Sequence, residues 1–388
     1  MPTAEPITGL ILSGGGARAA YQVGVLAGIA DLLPLGAPNP FPVIVGTSAG
    51  AINAVTLASG ALHFSETIRR LTDFWESFQS HQVLRSDWPG VIRQASRFVG
   101  HSLLGLGARG PVALLDSSPL RKLLGTHLEL SGINEAINQQ HLRAVAVTAF
   151  GYESGRAVTF YQGKGIIDPW RRHRRIGLPT HLTVDHLLAS SAIPLLFAPV
   201  KIAQQYYGDG AVRQSAPISP ALHLGASRVL VVGVSGNPRG PTADDPRQQV
   251  FSGQQPSLAQ IGGHMLNSTF IDSLEDDIEL LQRLNYFSHL LPSDLQPRRL
   301  GLAPVEVLVI APSQPLDEIA ARHRHELPAA LRLFLRGPGA TRTSGAGVLS
   351  YLLFEAGYCS ELIELGRRDA LAKRVELCKF LGVPSPTH

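Results

Sequence analysis

The chain has 388 residues, enough for two or three domains or for one large α/β domain with additions. Charged residues make up 16% and apolar residues 44% of it, which excludes a disordered, nucleic-acid-coating tail and leaves ample material for a core. The net charge of +4 is mild and carried mostly by arginine, and 39 glycines with 28 prolines promise many tight turns without a collagen-like period.

In chain order, the N-terminal residues 1–6 lack the basic start and leading apolar run of a signal peptide, so export by that route is not expected. Residues 7–13 read as a buried strand, Gly14 to Gly16 break it, and residues 17–33 carry apolar side chains at helical spacing. The uncharged stretch 32–65 imitates a membrane span in length. Its four prolines and its glycines instead suggest a strand over 41–47 and a small-residue helix over 48–59. Residues 62–115 turn helical, with one stripe of Phe64, Ile68, Leu71, Trp75 and Phe78 and another of Val91, Ile92, Ala95, Phe98 and Val99.

Further strands are expected at 142–150, 156–162, 205–207, 228–235 and 305–311, several of them continuous apolar runs typical of central parallel strands. The Trp170 to Arg175 run is basic with an aromatic neighbour and reads as a solvated loop, with a head-group patch as the sharper alternative. Residues 237–256 resemble a flexible surface loop, 258–284 a long helix, and the chain from 316 on is helical. The two cysteines, Cys359 and Cys378, provide neither a disulfide framework nor a four-ligand zinc site, which makes a cytoplasmic setting the default. The expected organisation is an α/β catalytic domain over 7–311, with a helical insertion at 62–115, and a helical C-terminal extension over 312–388.

Three short motifs carry chemistry. Gly46-Thr47-Ser48-Ala49-Gly50 fits G-x-S-x-G at a strand-to-helix junction, where glycines permit the sharp turn and the helix N-terminus favours an ionising hydroxyl. Gly14-Gly15-Gly16-Ala17-Arg18 sits at a similar junction, where successive amides can hold an oxyanion. The same stretch satisfies G-x-G-x-x-A through Gly14, Gly16 and Ala19. A dinucleotide site would need an acid at the end of the next strand, and Thr47 and Ser48 stand there instead. The third motif is Asp209 between Gly208 and Gly210, followed by Ala211, an acid on a turn after a short aromatic strand. Among fourteen histidines, His186 is the rival base for a Ser-His-Asp triad.

Together these motifs resemble the patatin-like phospholipase family of serine acyl hydrolases, and the likeness extends to Ala189-Ser190-Ser191-Ala192-Ile193-Pro194. The resemblance implies a three-layer α/β/α fold with a mostly parallel sheet. It also implies a Ser48–Asp209 dyad with no histidine, and an oxyanion hole from Gly14, Gly15, Gly16 and Arg18. Gly46 and Gly50 would form the nucleophile elbow, and Gly210 and Ala211 complete the Asp motif. Ala19 departs from the family's usual glycine. The implied substrate is a phospholipid or another acyl ester, cleaved without metal or cofactor. Peripheral membrane contact through one of the helical stripes is a further expectation, and no nucleic-acid partner is expected. A catalytically silent lipid-binding relative and a nucleotide-binding α/β protein are the alternatives.

Overall fold

The computed structural model describes residues 6–34, 36–83, 113, 115–165, 167–235, 257–269, 273–290, 304–336 and 346–384. The second helical stripe, at 91–99, and the 237–256 segment lie outside the described residues. In chain order the strands are β1 (Thr8–Leu12), β2 (Val43–Thr47), β3 (Ala144–Gly151), β4 (Arg156–Gly163), β5 (Trp170–Arg172), β6 (Arg175–Pro179), β7 (Val200–Ile202), β8 (Gln205–Asp209), β9 (Arg228–Val232) and β10 (Glu306–Ile310). The first helices are α1 (Ala20–Leu32), α2 (Ala49–Ser59), α3 (Phe64–Glu76), α4 (Ser80–Val83), α5 (Ser118–His127), α6 (Ser131–Asn138), α7 (Val184–Ser190) and α8 (Ser219–His223). After β9 come α9 (Leu258–Asn267) and α10 (Ser273–Leu290), and after β10 come α11 (Leu316–His323), α12 (Ala329–Arg336), α13 (Ala346–Leu352), α14 (Ala356–Ala372) and α15 (Arg374–Leu381).

One ten-stranded sheet runs β10-β9-β1-β2-β3-β4-β6-β5, and its first five strands are mutually parallel. Because β-strand side chains alternate, the apolar runs of the central strands feed two cores. Leu10, Leu12, Ile44, Leu230 and Val232 face one of them, with α1, α2, α3 and α14. Ile11, Val43, Val45, Val229 and Val231 face the other, with α8 and α10. The result is the expected three-layer α/β/α arrangement. Helices from α11 onward share the first core with α1: Tyr21 donates its phenol hydrogen to Asp369 (2.9 Å), and Arg367 pairs with Asp31 (2.7 Å).

Three expectations change. The Trp170 to Arg175 run is no loop but the antiparallel pair β5–β6 on the sheet edge, with Trp170 buried and stacked between Tyr161 and His223 (5.0 and 4.7 Å between centroids). The expected helix over 258–284 is described in two segments, α9 and α10: it leaves the α-helical pattern at 268–269, where Thr269 turns its hydroxyl back onto the Met265 carbonyl (2.7 Å), and residues 270–272 lie outside the described residues. Trp75 and Phe78 are 2% and 3% exposed, so they are core side chains and not available to dip into a bilayer.

Candidate active site

The ladder around β3 explains why two residues so far apart in sequence meet. Along one edge β3 pairs with β4 over its whole length. Along its other edge β2 pairs only as far as Thr47 opposite Thr148, and β8 takes over at Ala149 opposite Asp209. The end of β2 and the end of β8 therefore abut. Ser48, the residue after β2, hydrogen-bonds Asp209, the last residue of β8, with Ser48 Oγ to Asp209 Oδ2 at 2.6 Å.

Ser48 has φ 55° and ψ −131°, a backbone geometry that costs a non-glycine residue on the order of 1–3 kcal/mol. The strain is held from several sides. The Ser48 amide donates to Ser190 Oγ (2.9 Å), whose own hydroxyl donates to the Thr148 carbonyl (2.6 Å). Thr47 Oγ1 is joined to Gln214 (2.6 Å), which reaches back to Thr148. Gly50 must be glycine because a Cβ there falls 2.4 Å from the Leu12 carbonyl oxygen, where the turn crosses the end of β1. Gly46 likewise lies against the first turn of α2.

Asp209 is fully buried, and burial, outweighing the hydrogen bonds from Ser48 and the Ala211 amide, pushes its carboxyl up to about 7. The Asp209 amide donates to Ala192 O (2.8 Å) and Oδ1 accepts from the Ala211 amide (3.0 Å). The segment around 189–194 thus touches both partners, Ser48 through Ser190 and Asp209 through Ala192. Ser190 and Gln214 are the supporting residues that motif reading left without a role, and the position of Ser190 in the quoted block was the available signal.

Gly14, Gly15 and Gly16 lead into a 3-10 turn, Gly16–Ala19. The first amides of such a turn have no acceptor within it. The Arg18 amide donates back to Gly15 O (3.1 Å) and closes the turn. The turn is braced from below by Asn53, which donates to Ala19 O (3.0 Å) and accepts from the Trp75 indole (2.9 Å).

The side chain of Arg18 is placed otherwise than expected. It donates from Nε to Ser350 Oγ (2.8 Å), pairs with Asp317 and lies over the Tyr351 ring, 4.1 Å from its centroid. The guanidinium is therefore an anchor for α11 and α13. Gly16 (φ 56°) sits under the same segment, where a Cβ would be 2.2 Å from the Tyr351 carbonyl oxygen.

Ser48 Oγ goes to Asp209, and His186 instead caps a helix. Its Nδ1 accepts from the Thr183 amide (3.1 Å) and meets Thr183 Oγ1 (2.9 Å), closing the capping box of α7, while its ring packs edge-on against Phe160. Burial also pulls its pKa down.

A cavity of about 40 Å³ opens at Ser48, lined by Gly16, Trp75, Phe78, Phe197, Tyr351 and Phe354 among others. Ser191 lines it too, and its buried hydroxyl has no hydrogen-bond partner among the described residues. Also among the described residues, no group of three or more His, Cys, Asp or Glu side chains is arranged to hold a metal ion, and no helix is long and apolar enough to cross a membrane.

The family model described as Patatin-like phospholipase matches residues 10–222, more than half of the chain. No curated protein matches. Among solved structures, VipD from Legionella pneumophila is 13% identical with a TM-score of 0.36, over 80% of this chain and 62% of that one. Human GIVD cytosolic phospholipase A2 is 18% identical with a TM-score of 0.24, over 38% of this chain and 19% of that one. ExoU, solved in complex with SpcU from Pseudomonas aeruginosa, is 19% identical with a TM-score of 0.21, over 40% and 34%. The chain spans less than two thirds of each of these proteins, and likenesses this distant carry no argument about substrate.

Proposed function

Starting from a chain that belongs to the patatin-like phospholipase family, we propose a lipid acyl hydrolase of the phospholipase A or lysophospholipase type that works through a Ser48–Asp209 dyad. The observation that carries this reading is the 2.6 Å bond between Ser48 Oγ and a buried carboxylate pushed up to about 7, close to the pH at which a base has to work.

In the first half-reaction Ser48 Oγ attacks the ester carbonyl carbon while its proton passes to Asp209 Oδ2. The oxyanion of the tetrahedral intermediate is received by the amides of Gly15, Gly16 and Ala17, and the positive end of α2 favours the developing charge at Ser48. The intermediate collapses with cleavage of the ester C–O bond, Asp209 returns the proton to the leaving alcohol, and the acyl group stays on Ser48. In the second half-reaction a water gives its proton to Asp209 and attacks the acyl carbon. Collapse of that intermediate passes the proton back to Ser48 Oγ and releases the fatty acid. The unpartnered Ser191 hydroxyl at the cavity is available to a polar group of the substrate.

Labelling with a fluorophosphonate, followed by peptide mapping, is expected to modify Ser48 in the wild-type chain and nothing in Ser48→Ala. Product analysis on mixed phospholipids, lysophospholipids and neutral glycerides then identifies the ester that is cut. A chain that is never labelled at Ser48 and releases no fatty acid from any of these sinks the hydrolase and favours a silent lipid-binding relative.

A further inference from the structure

The space beside Ser48 is only about 40 Å³, too little for the acyl half of a lipid ester. A second cavity of about 320 Å³ lies behind its wall. The two share Ile52 from α2, Phe74 from α3 and Leu124 from α5, so these three side chains are the partition between them. Leu71 and Leu128 add to its apolar lining, and Thr56, Ser59 and the solvent-exposed Arg70 and Glu129 make the rest polar, with Thr56 and Ser59 on the side away from Ser48 along α2. Phe74 is only half-buried, packed on one side against Phe78 of the core and on the other against the exposed His127, which suits a ring that turns aside.

We propose that the second cavity is the seat of the substrate's acyl chain, entered from Ser48 past Phe74 and Leu124, and that its polar far end limits chain length. The proposal rests on Ser48 being the nucleophile. An apolar cavity of about 150 Å³ takes up the six carbons of benzene, so this one has room for a chain on the order of ten carbons. Each methylene moved from water into the apolar stretch stabilises the bound ester by about 0.8 kcal/mol, or about fourfold in kcat/KM. Carbons that reach the polar end bring no such gain.

The test uses the full chain and p-nitrophenyl esters from two to sixteen carbons. The expected profile climbs about fourfold per methylene and flattens near ten carbons. Thr56→Phe, which fills the far chamber, is expected to lower the twelve-carbon to four-carbon ratio of kcat/KM at least about tenfold. An unchanged ratio overturns the seat.

Because a cavity-filling variant can also disturb folding, a second experiment uses the wild-type chain with a ten-carbon alkyl fluorophosphonate bearing a terminal diazirine. After attachment to Ser48 and irradiation, crosslinks are expected at Leu71, Leu124 or Leu128. Crosslinks at Phe197, Tyr351 or Phe354 instead place the chain on the opposite wall and overturn the proposal. Absence of labelling at Ser48 for every chain length is a different result, which overturns the nucleophile assignment itself.

Discussion

Two walls face each other across the Ser48 cavity, and they are held by different means. The first is the edge of the sheet, where Ser48, Asp209 and Ala192 are placed by backbone ladders and turns. The second comes from α13 and the residues just after it, where Tyr351, Leu352 and Phe354 lean over the cavity and Ser350, with Asp317 of α11, grips Arg18. A slip of one residue in a ladder moves every side chain to the wrong face, so the first wall has one working arrangement. The second depends on side-chain contacts worth about 1 kcal/mol each, and it can yield by degrees. Ser48 and Asp209 are thus held by the sheet, while the cavity's other wall and the partners of Arg18 come from Asp317 and from residues 350–354, all beyond the family match, which ends at 222.

That contrast predicts abrupt loss on one side and graded loss on the other. Asp209→Asn is expected to lower kcat by about 10⁴-fold, as loss of a catalytic base does, with Ser48→Ala at least as severe. In the wild type the acid limb of kcat/KM is expected near pH 7, because the base works only when ionised.

The same group has an opposite effect on stability. Between its ordinary value of 3.8 and about 7 the native state holds a proton that the unfolded chain has lost, so stability falls as pH rises through that window. Asp209→Asn should therefore melt above the wild type at about pH 8, and the gain should vanish at about pH 4, as read by thermal denaturation.

On the opposite wall, Asp317→Asn is expected to reduce kcat by roughly ten- to a hundredfold with little change in KM, and Asp317→Glu to recover part of it. Breaking a buried ion pair costs about 3–5 kcal/mol, and less is expected here because the Asp317 side chain is 40% exposed. If Asp317→Asn were as damaging as Asp209→Asn, the distinction between the two walls would be wrong.

Ser190→Ala leaves the Ser48 amide and the Thr148 carbonyl without their partner, at about 1–3 kcal/mol of stability and roughly tenfold in kcat. His186→Ala should keep turnover within about threefold while costing about 1 kcal/mol through the lost cap of α7. Loss of turnover in that variant on the scale of Asp209→Asn would reinstate a triad.

The smallest effect concerns His323 in the C-terminal helices. Burial works against its charge, but hydrogen bonds to Glu326 and Glu361 (2.6 Å each) and their charges prevail and raise its pKa. Its stabilising contribution is complete below the ordinary histidine value and is lost as pH rises through the raised one. His323→Gln should accordingly narrow the difference in melting temperature between mildly acid and mildly alkaline buffer.

Much of this was legible beforehand. The strand, turn and helix units around Gly14 to Gly16 and Ser48 are short-range patterns, and the central strands announce themselves as apolar runs bounded by glycine and proline. The strands β5, β6 and β7 are not legible, because three to five residues are too few to show a period, and β5 and β6, at the end of the sheet, carry arginine and proline that a central strand would not. The Trp170 run looked like a surface feature because its tryptophan is buried by Tyr161 and His223 while Arg171, Arg172, His173 and Arg174 reach solvent.

The sequence by itself determined that Gly14 to Gly16, Ser48 and Asp209 each stand at the end of a strand, since turn chemistry and periodicity act over a few residues. Only the tertiary structure decided that Arg18 belongs to Ser350 and Asp317, 332 and 299 positions away. It alone decided that His186 is a cap, that Asp209 is fully buried against Ser48, and which side chains line the cavity. Desolvation and long-range pairing are properties of the packed interior, where a group's energy is set by neighbours that the linear order does not name.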